Sequence, residues 1–442
     1  MRMSSRRRVL MAVAVAGAAG LALAGCAESS GGGAASSGTT TVQISGGITG
    51  GEADALNESF TQFTADTGIK VVYTGDKSFE GNIVTKVTGG SAPDIAIVPQ
   101  PGLLKTLIDT GQVQKGSSAT EANVDNYWST AWKTYGSSGG TFYAAPMLAN
   151  VKGFVWYSPK QFKQWGVSVP TTWDELMTLT QTIQQKTGAA PWCAGFASDA
   201  ASGWPGTDWI EDLVLRQSGP DVYDQWVAGT VKFTDPPIKQ AFDTLSTILL
   251  NPQYVNAGFG DVKSINSTAF GDVAAKVADG TCPLTHQASF LSANFLEVNT
   301  ASGQPPVVAP DGDVYAFLLP SIKASDPKYV EVGGEFVAAF SNDPNVQKVV
   351  EYMSTPAFAD ARVKLGGVIS ANNGADPSLA SSQFLVDAMK LVQNPDTVIR
   401  FDASDLMPAT VGSGSFWKGM VNWIDGKPTA DVLAEIQAGY NN

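Results

Sequence analysis

From Thr41 the chain alternates strand-like and helix-like segments, and this alternation constrains the fold more than any other feature of its 442 residues. Val42-Gln43-Ile44 reads as a strand. Thr49-Gly50-Gly51-Glu52 has capping-box spacing for a helix that sets Leu56, Phe60, Phe63 and Thr67 along one face and stops at Gly68. Residues 69–73 read as a second strand, a helix begins near Phe79, and residues 94–98 form a third, buried strand. Such β-α-β-α-β order implies a mostly parallel sheet with helices on both faces. Ligands of such sheets sit beyond the carboxyl ends of the strands, here near Gly46-Gly47, residues 74–80 and Pro99-Gln100-Pro101. Similar grammar returns after Pro146. Phe154-Val155-Trp156-Tyr157 is a short apolar strand, and Pro170-Thr171-Thr172-Trp173-Asp174-Glu175 is a second capping box, opening a helix that runs to Gly188. About 400 residues of this kind exceed the ~250–300 that one core organises, so two lobes are expected. The second is the aromatic one, since nine of the 11 tryptophans lie at or after Trp156.

The start of the chain carries a different message. A basic opening (Arg2, Arg6, Arg7, Arg8), an alanine-rich apolar run over residues 9–24, and Leu23-Ala24-Gly25-Cys26 together read as a bacterial lipoprotein signal over residues 1–25. The apolar run is shorter than the ~20 residues that span a bilayer. Acylation of Cys26 would anchor the protein to the outer face of the cytoplasmic membrane, with residues 26–40, rich in Gly, Ala, Ser and Thr, as a flexible tether. Ser5-Arg6-Arg7-Arg8-Val9-Leu10 also suits twin-arginine export, and both export routes stay open. The two remaining cysteines, Cys193 and Cys282, are an even pair in an oxidising compartment and read most simply as a disulfide, with two separate buried thiols as the alternative.

Composition excludes several function classes. The chain holds 28 Lys+Arg against 41 Asp+Glu, and the first 25 residues contain four of those bases and no acid. So acidic a surface does not bind nucleic acid, which needs a basic patch and counterion release. His286 is the single histidine, and no cysteine or acid cluster has metal-site spacing, so neither a metal nor a cofactor is expected. The nucleophile elbow, the phosphate loop and the dinucleotide fingerprint are all missing; Gly412-Ser413-Gly414-Ser415 reads as a helix start. The surviving enzymatic alternative is a secreted glycoside hydrolase, needing only two carboxylates, for which Asp208 with Glu211 or Asp402 with Asp405 can be nominated.

Several motifs carry a family resemblance. The lipobox, the tether, Gly90-Ser91-Ala92-Pro93-Asp94-Ile95, Gly153-Phe154-Val155-Trp156-Tyr157-Ser158 and Val169-Pro170-Thr171-Thr172-Trp173-Asp174-Glu175-Leu176 resemble the extracellular solute-binding proteins of ABC sugar importers. Within them, Pro191-Trp192-Cys193, the stretch from Gly203 to Trp209, Cys282 with His286-Gln287-Ala288-Ser289-Phe290, and the stretch from Phe401 to Pro408 are most similar to the alpha-glucoside-binding group. The resemblance implies an α/β, two-lobed periplasmic-binding-protein-like fold of type II, each lobe a sheet flanked by helices, joined by a hinge. The first lobe would hold residues 41–148 and 330–366, and the second residues 149–329 and 367–442. It also implies a non-enzymatic monomer that captures a carbohydrate between its lobes and delivers it to a permease. A different neutral solute, such as a polyol or amino sugar, and a sensor role are the alternatives on the same scaffold.

A sugar offers hydroxyls at its edge and an apolar face, so its site pairs polar tips with flat rings. By similarity to maltose-binding proteins, Trp417, preceded by Phe416, would stack on the sugar and Phe290 would form a wall, with Trp204 and Trp209 flanking Asp208 nearby. Glu80, Gln100, Asn150, Asp208, Gln287, Glu335 and Asp405, at expected strand ends and hinge loops, are the candidates for hydroxyl recognition. Val98-Pro99-Gln100-Pro101 lacks the aromatic and acid that maltose-binding proteins carry there, so the sugar need not be maltose.

Overall fold

A computed structural model describes residues 41–441; the expected signal, Cys26 and the tether lie outside the described residues. Nine strands build two sheets: β1 (Thr41–Gly46), β2 (Lys70–Gly75), β3 (Ile95–Val98), β4 (Ala144–Val151), β5 (Phe154–Tyr157), β6 (Leu284–Gln287), β7 (Tyr315–Leu318), β8 (Tyr329–Ala339) and β9 (Val398–Phe401). The larger sheet runs β9-β8-β3-β1-β2, with β4 also paired to β8. β1 is parallel to β2 and β3, as the alternation of strand and helix requires. The expectation of a mostly parallel sheet fails beyond them. β8 enters antiparallel to β3 and β4, because the chain reaches it directly from the second sheet rather than through a crossover helix. The second sheet, β6-β5-β7, is wholly antiparallel, with Val155 opposite both His286 and Phe317. β9, from the stretch 367–442, pairs in parallel with β8 of the larger sheet.

The helices that matter for the site are α1 (Gly50–Glu58), α2 (Thr61–Thr67), α3 (Phe79–Thr88), α4 (Pro101–Asp109), α5 (Trp173–Thr187), α6 (Trp204–Val227), α7 (Pro356–Lys364), α8 (Ala403–Leu406) and α9 (Trp417–Ile424). Leu56, Phe60 and Phe63 are buried as their spacing requires. The single helix expected there breaks in two at Ser59, whose hydroxyl donates to the Leu56 carbonyl at 2.6 Å and competes with the helical ladder. The side chain of Thr49 makes no capping bond, so the first capping box does not form. The second does. Thr172 accepts from the Glu175 N–H, and Glu175 reaches back to accept from the Thr171 N–H at 2.7 Å.

Apolar side chains pack in two cores, and β5 contributes to both, Phe154 and Trp156 to the first and Val155 to the second. Val42, Ile44, Ile95, Ile97, Phe336 and Val337 lie in the first core; Val155, Trp192, Trp209, Trp226, Phe242 and Trp423 lie in the second. The chain passes between the sheets at Val151–Phe154, at Leu318–Tyr329 and after Phe401. Cys193 and Cys282 form the expected disulfide, joining the segment that leads to α6 with the start of β6. No helix among the described residues is long and apolar enough to cross a membrane.

Candidate functional site

A cavity of about 870 Å³ opens where the carboxyl ends of β1 and β3 meet loops of the second sheet. Gly47 to Gly50, Ile97 and Pro99 line it from the parallel strands, as the switch-point rule anticipates. Leu148 to Asn150 on β4 and Glu335 on β8 contribute from the crossing strands. The opposite wall comes from Ala197 to Asp199, Phe270 and Ser289-Phe290. Gly47 leaves room for the Glu80 carboxylate across the end of β1: a Cβ would stand 2.9 Å from Glu80 Oε1 and the Glu80 side chain would have to shift aside.

The lining is strongly acidic. Glu52, Glu80 and Glu335 are half-buried in it, whereas Asp199, Asp272 and Glu297 are exposed at its edge, and Lys77 is the one basic residue among them. Burial pushes Glu335 up to about 7, reinforced by the Glu52 charge and opposed by Arg362 and Lys152. Burial likewise raises Glu80, with Asp76 adding to it. The buried Oδ1 of Asn150, facing this region, has no hydrogen-bond partner. Facing these polar tips is an aromatic group: Phe290 meets Phe270 edge-on at 6.0 Å, and Trp204 packs on both, at 5.7 and 5.1 Å.

Of the twelve expected ligand contacts, Glu80, Asn150, Phe290 and Glu335 line this cavity, and Trp204 stands behind Phe290. The other seven do not line it. Phe416 is fully buried against Trp226 and Phe233, and Trp209 lies between His286 at 4.1 Å and Trp192 at 5.4 Å, so both rings pack in the second core. Gln287 is turned to local bonding: its Oε1 accepts from the Ala288 N–H, and its carbonyl accepts from the Trp156 indole. Asp208 is consumed by Lys152, whose Nζ lies 3.2 Å from Oδ1 and also 2.9 Å from Asp402 Oδ2. Asp405 is buried within α8 beside them, and its N–H donates to Asp402. Gln100 at the start of α4 and Trp417 at the start of α9 are buried, and their Oε1 and Nε1 lack partners.

Behind the cavity therefore lies a buried charge cluster that sequence spacing did not reveal, because its members come from separate segments. Asp208, Glu331 and Asp402 bring oxygens within 4.8 Å of one another, with Lys152 bonded to two of the three. Glu211, nominated above as a hydrolytic acid, accepts from the backbone N–H groups of Ala403 and Ser404 instead. Asp212 pairs with Arg216 and with His286 Nε2 at 2.9 Å. Gly153 admits it, since a Cβ there would overlap the Asp212 carboxylate. The residues missed from sequence, Glu52, Phe270 and Asp272 among them, sit at helix starts and loop ends. Glu52 alone carried a signal, being the acid of a first turn that follows β1.

The sequence profile of bacterial extracellular solute-binding proteins matches residues 49–360. The osmoprotective compounds-binding protein GgtB of Synechocystis sp. is 35% identical over 402 residues, covering 90% of this chain and 92% of its own. The alpha-glucosides-binding periplasmic protein AglE of Rhizobium meliloti is 33% identical over 403 residues, covering 89% and 85%. Among solved structures, the bacterial solute receptor AcbH superposes with a TM-score of 0.75 at 18% identity, covering 91% of this chain and 98% of that one. The fold is thus the two-lobed α/β fold of type II periplasmic receptors.

Proposed function

We propose that this chain, which belongs to the family of bacterial extracellular solute-binding proteins, captures an alpha-glucoside or a short oligosaccharide between its lobes and hands it to the permease of an ABC importer. One observation carries this reading: carboxylate and amide tips from Glu80, Asn150 and Glu335 line the same cavity as the ring of Phe290, with Phe270 and Trp204 packed on that ring. Tips bond hydroxyls and the ring covers a sugar's C–H face. The name of AglE supports an alpha-glucoside. The name of GgtB favours a second reading, a small neutral osmoprotective solute on the same scaffold. In our reading the protein works as a monomer without catalysis, held on the outer face of the cytoplasmic membrane by lipid on Cys26. Its lobes divide as residues 41–148 with 330–366 and residues 149–329 with 367–442, save that β9 joins the larger sheet, and a ligand that binds the closed form better supplies the signal to the permease.

A thermal-shift screen with maltose, trehalose, sucrose, glycerol and glucosamine tests this. A saturable rise in melting temperature with a disaccharide and no sugar released is the expected result. No shift with any of them, or hydrolysis of the glucosides, would sink the reading. Phe290→Ala should weaken the best disaccharide by about 10- to 100-fold, the loss of one ring's stacking and burial. Phe416→Ala should instead lower stability by about 3–5 kcal/mol, as for any large core ring.

A further inference from the structure

We infer that Arg362 is a positioning residue of the cavity: from behind its floor it holds Glu52 and Glu335 as charged hydroxyl acceptors, and so ties ligand affinity to pH. The inference rests on the carbohydrate reading above and adds the residue that sets its acceptors. Arg362 belongs to α7 and is fully buried, yet neither its Nε nor its Nη2 has a hydrogen-bond partner. Its Nη1 donates to the Gly366 carbonyl at 3.0 Å, fixing the turn that brings Gly367 and Val368 to the cavity wall. Its Nη2 lies 3.6 Å from Glu52 Oε1, and Glu52 lines the cavity. A buried guanidinium is retained only where it meets negative charge, and the carboxylates in its field are Glu52 and Glu335.

The charges around Glu335 come from several elements. Glu52 of α1 raises its pKa, while Arg362 of α7 and Lys152, at the end of β4, lower it. Glu80 of α3 also lines the cavity, and Tyr73 of β2 lies within the field of Glu52, Glu80 and Glu335. Burial dominates and Glu52 adds to it, leaving Glu335 at about 7, near the working pH, where the Arg362 charge shifts the balance towards the ionised acceptor. An ionised carboxylate accepts two hydroxyl donors, whereas its protonated form must spend one oxygen as a donor. Affinity for an uncharged, hydroxyl-rich solute should therefore fall as pH drops through the Glu335 midpoint.

The test is titration calorimetry of the full chain with maltose, trehalose and sucrose between pH 5 and 9, with melting temperatures recorded alongside. Wild type should lose at least about tenfold in affinity from pH 8 to pH 5. In Arg362→Met the midpoint should move upward by about one unit or more, the size of an opposite charge removed nearby. Arg362→Lys should return it towards wild type, and Glu335→Gln should flatten the profile. Glu52→Gln, in case the methionine variant does not fold, should move the midpoint downward, because a carboxylate that pushed Glu335 up has gone. Midpoints unmoved in Arg362→Met and Glu52→Gln, with only melting temperature lowered, would overturn the inference and leave Arg362 a structural residue. No binding of any probe by wild type at any pH would instead overturn the carbohydrate reading.

Discussion

Lys152→Met is expected to cost about 3–5 kcal/mol of folding stability at pH 7, the usual penalty for stripping the partner from buried charge. Lys152 follows β4 at the first crossing between the sheets. Its ammonium joins Asp208 of α6, at 3.2 and 3.3 Å, to Asp402, which follows β9, at 2.9 Å. All three side chains are almost wholly buried. Burial alone would lower the lysine pKa, but Asp208, Asp402, Asp405 and Glu331 together hold it well above the ordinary range. Asp402 shows the reciprocal effect: burial pushes it up, and Lys152 brings it below the usual carboxylate value. A depressed carboxylate contributes stability that is present above its unfolded pKa and is lost as pH falls through its folded one. In wild type that contribution is intact at both pH 7 and pH 5. Burial already holds Asp208, Asp405 and Glu331 well above the usual carboxylate range; in the variant Asp402 loses its counter-charge and joins them, and protonation relieves it as pH falls. The deficit measured by urea unfolding should consequently shrink from pH 7 to pH 5, and Asp402→Asn added to Lys152→Met should recover part of it. A variant within 1 kcal/mol of wild type at pH 7 would show that the cluster is already neutral.

The same cluster shows what the sequence could and could not display. β1, β2, β3 and β5 were legible because their apolar runs have nowhere to go but a sheet interior, and the turn residues Gly68 and Gly188 mark helix ends by adopting left-handed backbone. The antiparallel entry of β8 was not legible, since pairing direction is decided by where the chain returns from, over a separation no local pattern records. For the site, the strand-end rule anticipates Glu80, in the segment after β2, at the cavity, whereas Asn150 and Glu335 reach the same cavity from the antiparallel pair β4 and β8. It did not show that Asp208 pairs with Lys152, which lies 56 residues away. Aromatic residues sort by packing that the sequence does not show. Phe290 and Phe416 look alike as letters, and only tertiary packing sends one ring to a cavity and the other to a core. Glu52 was read as half of a capping box, and its placement beside Arg362 shows the carboxylate turned to the cavity floor instead.

Replacing both Cys193 and Cys282 by serine should lower stability by about 4–5 kcal/mol while leaving ligand affinity within about threefold of wild type. The size follows from closing a loop between residues 89 apart, on the view that a cross-link acts by restricting the unfolded chain. The small effect on affinity follows from the folded state. The bridged segments both reach the cavity, one leading to Ala197 to Asp199 and the other to Ser289-Phe290. They are also stitched together without sulfur: the Cys193 N–H donates to the Leu284 carbonyl at 3.0 Å, the Leu284 N–H donates to Pro191 at 2.9 Å, and the Thr285 hydroxyl donates to the Cys193 carbonyl at 2.9 Å. The Ala194 N–H adds a bond to Asn256 Oδ1 at 2.9 Å. These bonds persist in the serine variant, so the cavity walls keep their places while the unfolded chain gains freedom. Its m-value in urea should rise accordingly, because a chain without the loop exposes more surface on unfolding. Both cysteines are buried, so reductant should act on wild type slowly until mild denaturant opens the second lobe. A variant that loses affinity by tenfold or more while keeping its urea midpoint would mean the bridge clamps the folded walls, and the chain-entropy account would fail.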